Sequence, residues 1–142
     1  MILVRDRPKK IDQDIVDLAR SVSAGTIGHM TEFGFAIGLK PSAIPTRLAG
    51  TALTVRAPSM DSTAVHLALD LVEPGDVLVI DRAGDGMHAG LGGMVAYAAK
   101  KRGATGAVVD GAITDIEEII EYKFPVFYRT ISPLTTKILG IE

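Results

Sequence analysis

The chain has 142 residues, the size of one domain, and its 15 Lys and Arg against 17 Asp and Glu leave a net charge of −2. That balance argues against a dedicated nucleic-acid binder, and 47% hydrophobic with 23% charged residues argues against disorder. The absence of Cys excludes disulfides, thiolate zinc sites, iron–sulfur clusters and a cysteine nucleophile.

The first ten residues, MILVRDRPKK, carry their basic residues after the apolar stretch, unlike a secretory leader, and no apolar run reaches the roughly 18 residues of a membrane span. One cytoplasmic domain over residues 1–142 is expected. Its core must be aliphatic, since aromatics are only 5%.

Ile11 to Arg20 places Ile11, Ile15, Leu18 and Ala19 at helical spacing, which predicts a helix buried along that face. The stretch VSAGTIGHMTEFGF is Gly-interrupted and reads as a short helix with loops. Lys40 to Arg47, with two prolines, reads as a loop. Gly50 to Ala57 is rich in Thr, Leu and Val and reads as a strand. Asp61 or Ser62 caps a helix through the periodic run Val65 to Val72, ended by Pro74-Gly75. Asp76 to Asp81 is a near-continuous β-branched run, as in a parallel strand covered on both faces.

A Gly-rich loop from Ala83 to Gly93 follows, then a helix from Met94 to Arg102 with basic residues at its C-terminal end. Gly106 to Asp110, Asp115 to Tyr122 and Phe124 to Tyr128 read as strand, acidic helix and strand. From Gly50 onward the order is β-α-β-α-β-α-β, an α/β fold with right-handed crossovers.

Such sheets bind ligands beyond the carboxyl ends of their strands. Two candidate loops follow Asp81 and Asp110, and adjacent parallel strands would bring them together. The glycines of the first loop either let amides approach an anion at the helix start or simply allow tight packing. Asp115 opens a helix, so it is either an N-cap or a hard oxygen ligand for Mg²⁺ or Mn²⁺. Of the three histidines, His88 is the best ligand candidate, but none has paired zinc-site spacing, and there is no G-x-S-x-G elbow. Glu117, Glu118 and Glu121 read as a solvated helix face.

The segments GTALTVRAP, EPGDVLVIDRAGDG, AGLGGMVAYAAKKRGATGAVVDGAITD and FPVFYRTISP resemble the RraA-like family, over roughly Ala24 to Pro133. That family includes 4-hydroxy-4-methyl-2-oxoglutarate aldolases, regulators of ribonuclease activity, and proteins once labelled menaquinone methyltransferases. The resemblance implies a single compact α/β/β sandwich assembled as a trimer or hexamer. It also implies a metal-dependent lyase acting on small 2-oxo acids, oxaloacetate decarboxylation included.

In the family's aldolases a backbone cradle and a loop Asp face an Arg-Asp pair. Carried over, the cradle falls on Gly92, Gly93, Met94 and Val95, the loop Asp on Gly93, the Arg on Thr114 and the metal-binding Asp on Asp115. Asp115 is kept, whereas Gly93 and Thr114 depart from the pattern. The expected site is therefore Asp115 for Mg²⁺ or Mn²⁺, Thr114 in catalysis and substrate binding, and Gly92 to Val95 for a carboxylate. Thr offers one neutral hydroxyl where an Arg fork makes two charge-assisted bonds. Asp85, His88, Arg82 and Arg129 are candidates to compensate. The departures make a non-catalytic, protein-binding regulator the alternative. Family members usually continue with further strands, whereas this chain stops at Glu142.

Overall fold

The protein, described over residues 2–141 by a computed structural model, builds one six-stranded mixed sheet with helices. In chain order the elements are α1 (Gln13–Ser21), α2 (Ala24–Gly28), β1 (Lys40–Pro41), β2 (Thr51–Arg56), α3 (Thr63–Asp70), β3 (Asp76–Asp81), β4 (Ala89–Leu91), α4 (Gly93–Lys101), β5 (Gly106–Ile113), α5 (Ile116–Glu121) and β6 (Val126–Ile131).

The sheet order is β1-β6-β5-β3-β2, with β4 added beside β5. β2, β3, β5 and β6 are parallel; the two-residue β1 closes the far edge antiparallel to β6. Each parallel step, β2 to β3 to β5 to β6, moves the same way across the sheet. Crossovers of one hand therefore put α3, α4 and α5 on one face. Val65, Ala68 and Leu69 of α3, Ala96 and Ala99 of α4 and Ile119 of α5 share one buried cluster with Leu53, Leu78, Ile80 and Val109 of the strands. Small alanines on α4 let that helix lie close to β5. The α/β alternation from Gly50 onward is thus what the chain adopts.

Several elements differ from their sequence reading. The first helix forms, but its supposed core face does not: Ile15 and Leu18 are about three-fifths exposed, and only Val16 is buried. Periodicity marks an apolar stripe but not what the stripe packs against. The presumed loop at Lys40 contains β1, and the glycine loop contains β4, because Ala89 and Leu91 pair with Ala112 and Ile113 of β5. β5 runs on to Ile113, three residues past Asp110. Asp61 does serve the start of α3, accepting from the Thr63 amide at 2.8 Å and its hydroxyl at 2.5 Å. The same buried carboxylate also accepts the amides of Leu139 and Ile141, tying the C-terminal segment down.

Candidate functional site at the start of helix α4

β4 and β5 run parallel, so their carboxyl ends, Gly92 and Thr114, emerge side by side, and the Thr114 amide donates to the Leu91 carbonyl at 3.0 Å. The two segments expected to converge do so. Asp115 follows with φ 54°, a left-handed conformation that Asp tolerates better than most residues. That backbone turn swings its carboxylate away from its own helix. Asp115 occupies the N-cap position of α5 without making a side-chain cap bond there. Its Oδ2 instead accepts the Gly93 N–H at the start of α4, at 3.0 Å, and Oδ1 accepts the Thr114 hydroxyl at 3.1 Å. The capping role read from the sequence is real but belongs to the neighbouring helix.

Two glycines make this possible. A Cβ on Gly92 would lie 2.7 Å from Asp115 Oδ2 and 2.8 Å from Thr114 Cγ2. A Cβ on Gly93 would fall well inside contact of Glu118 Oε2. Glu118 therefore lies against the open flank of Gly93, beside Asp115, with its Oε2 accepting the Tyr122 phenol at 3.3 Å. It was read as part of a solvated face. It is exposed, but its carboxylate fills the space a side chain at position 93 would take. The signal that could have found it is its spacing, one helical turn beyond Asp115.

The remaining cradle residues behave as a helix start does. The Ala96 amide takes the first carbonyl, that of Gly92 at 3.0 Å, while the Met94 and Val95 amides have no acceptor among the described residues. Those two N–H groups carry the positive end of the α4 dipole. One cradle amide, Gly93, is already engaged by Asp115. Among the described residues no group of three or more His, Asp or Glu is gathered closely enough to enclose a metal ion. Asp115 and Glu118 do offer two hard carboxylates flanking one backbone position. That set suits Mg²⁺ or Mn²⁺, which commonly take one or two protein carboxylates and keep waters or substrate oxygens.

The residues considered as replacements for the missing Arg are committed elsewhere. Arg82 is wholly buried, donates to the Ala57 and Ser59 carbonyls and lies 3.5 Å from Asp85. Gly90 and Gly111 provide its room, since a Cβ on either would collide with its aliphatic stem. For Gly90, the one of the two that belongs to the glycine loop, the packing explanation holds. Arg129 pairs with Asp110 and donates to the Ile37 carbonyl at 3.1 Å. Its guanidinium is held further toward the charged form by the hydrogen bond and charge of Asp110. His88 Nδ1 meets Asp85 Oδ2 at 2.7 Å. Burial pushes the Asp85 carboxyl up, but the amides of Met87 and His88 and the His88 ring outweigh this and lower it. Asp85 thus organises its own loop.

Comparison with known proteins places the chain in a family. A family model described as RraA-like, Aldolase/RraA, matches residues 13–140. A Halalkalibacterium halodurans protein provisionally named a 4-hydroxy-4-methyl-2-oxoglutarate aldolase is 41% identical over 103 residues, 72% of this chain and 49% of that protein. The chain spans about half the length of the curated relatives it matches. Among solved structures, the RNA-processing inhibitor RraA from Thermus thermophilis superposes with a TM-score of 0.74 at 26% identity, covering 84% of this chain and 73% of that one. Streptomyces coelicolor RraAS2, described as an unusual member of the RNase ES inhibitor RraA family, gives 0.79 at 27% identity, covering 94% and 69%.

Proposed function

The chain belongs to the RraA-like family, and on that premise we propose that the α4 start and Thr114–Asp115 form the site of a divalent-metal-assisted carbon–carbon lyase for small 2-oxo acids. The observation that carries this reading is the Asp115 carboxylate on the Gly93 amide, with Glu118 beside it. It puts hard oxygen donors and unused amide donors at the carboxyl end of a parallel sheet, where such folds bind ligands.

In this reading the Met94 and Val95 amides receive the substrate carboxylate, and Thr114 contributes one neutral hydroxyl bond. Asp115 and Glu118 would hold Mg²⁺ or Mn²⁺, which would supply Lewis-acid positive charge beside the bound 2-oxo acid. Asp115 also orients the Thr114 hydroxyl, which donates to it. An anionic substrate facing two carboxylates would be repelled without a cation between them, which is why the reading requires the metal. The test is pyruvate release from 4-hydroxy-4-methyl-2-oxoglutarate or from oxaloacetate, with Mg²⁺ or Mn²⁺ and with chelator. Activity above the uncatalysed background that chelator abolishes supports the proposal. No pyruvate from either substrate defeats it.

A second reading, a protein-binding regulator without chemistry, draws on one feature. Thr114 stands where the resemblance implies an Arg, and the described partners of Arg82 and Arg129 lie elsewhere. It expects a protein partner whose binding is indifferent to chelator and to Asp115→Asn. For either reading we propose self-association, because Met30, Phe33, Ile37 and Ile44 are largely exposed apolar side chains. Among the described residues no helix is long and apolar enough to cross a membrane.

A further inference from the structure

A cavity of about 1110 Å³ separates the N-terminal segment, residues 2–8, from β2 and α3. Five consecutive residues of β2, Ala52 to Arg56, line it. Side chains alternate between faces along a strand, so consecutive lining means that the cavity follows the strand's edge. Among the described residues that edge is open: β2 ends the sheet and pairs there only with β3. The opposite wall is one stripe of α3, in which Ala64, Leu67 and Ala68, continued by Leu71 just past the helix, recur at helical spacing. A free strand edge beside an apolar helix face is shaped for an added strand.

The N-terminal segment is fastened beside one end of this groove. The Arg7 guanidinium forks onto the buried Asp76 carboxylate at 3.0 and 3.1 Å, and Lys10 meets Glu73 at 3.1 Å. The Ile11 amide donates to the Thr51 hydroxyl at 3.0 Å, and Asp76 is Thr51's partner in the sheet. The chain is thus fastened at the N-terminal end of β2, and the residues before Arg7 run back antiparallel along it. Arg7 is held in place, whereas the residues just before it are exposed. Leu3 and Val4 are 68% and 60% exposed, and no backbone hydrogen bond joins residues 2–8 to β2. Ile2-Leu3-Val4, in which Ile2 is half-buried and the other two are exposed, is apolar with high strand propensity.

We propose that Ile2–Val4 is a lid that closes onto β2 as a seventh, antiparallel strand, with Arg7 on Asp76 as its fixed end. Closure satisfies the outward N–H and C=O groups of β2, fills the groove with apolar side chains and removes an open sheet edge. The structure holds the open form.

Residue-resolved amide exchange on the full chain tests this. Closure gives at least one amide among Ile2, Leu3 and Val4 about 100-fold slower exchange than an unstructured chain. Arg7→Gln, which releases the fixed end, and Val4→Asp, which leaves it intact, each reduce that protection at least about tenfold. Val4→Asp leaves β3 and β5 amides unchanged, which separates lid opening from loss of the fold. Three results overturn the proposal. They are unprotected exchange of all three amides in the parent chain, protection that disappears on dilution (a second copy as occupant), and protection that appears only when dodecanoate is added (an apolar ligand as occupant).

Discussion

Replacing Asp115 separates its structural work from its chemical work. Asn keeps a side-chain oxygen for the Gly93 amide and is at ease at φ 54°. It loses only the charge near the positive end of α4, about 0.5 kcal/mol. Gly has no difficulty with the left-handed backbone but loses the cap on α4, about 1 kcal/mol. Ala loses the cap and also strains the backbone by roughly another 1 kcal/mol, so its cost is about 2 kcal/mol. The expected order of stability is wild type, Asn, Gly, Ala, read from urea unfolding followed by circular dichroism. Activity follows a different order. All three variants lose the carboxylate, and each is expected to fall about 100-fold or more in pyruvate release. If Ala matched Gly in stability, the left-handed backbone would not matter and the geometric account would be wrong. If Asn retained activity within about threefold of wild type, the charge would not be needed and the lyase reading would go with it.

Three other outcomes follow from particular contacts. Gly93→Ala displaces the Glu118 carboxylate, the far end of a flexible side chain, and gains helix propensity; stability should change by less than about 1 kcal/mol while metal-dependent activity drops. Gly50→Ala drives a Cβ into the Gly75 backbone carbonyl, which cannot swing aside, so denaturant titration should show a loss of about 2–3 kcal/mol. Asp61 should govern acid stability. Burial pushes its carboxyl up, but the Thr63 hydroxyl and the amides of Thr63, Leu139 and Ile141 outweigh that and hold it well below its ordinary value of 3.8. With the folded value lowered, its stabilisation is complete above the unfolded value near pH 4 and is lost as pH falls below it. The unfolding midpoint should decline with acid below about pH 4, and less so in Asp61→Asn.

Much of the fold was legible because it is written locally. β3 announces itself as a β-branched run, and α4 as a periodic stretch with basic residues at its end. β1 and β4 were not visible, since two or three residues become a strand only by lying beside Tyr128 or Ala112. The face of α1 was misjudged for a similar reason, as Val16 is buried by what surrounds it and Ile15 is not. At the site, the spacing of Gly93 and Asp115 was readable, but the carboxylate's partner was not. A cap is assigned by default to the residue's own helix, and only the left-handed turn at Asp115 redirects it to the next one. Glu118 was hidden because its role depends on an absent side chain twenty-five positions earlier.

The bond from Gly93 to Asp115 also joins two helices, so anything that recruits that carboxylate must compete with the amide already holding it. Occupancy and the seam between α4 and α5 are then two readings of one equilibrium. A tightly held cation would loosen the first turn of α4, and a mutation that tightens the seam would weaken the cation by the same free energy.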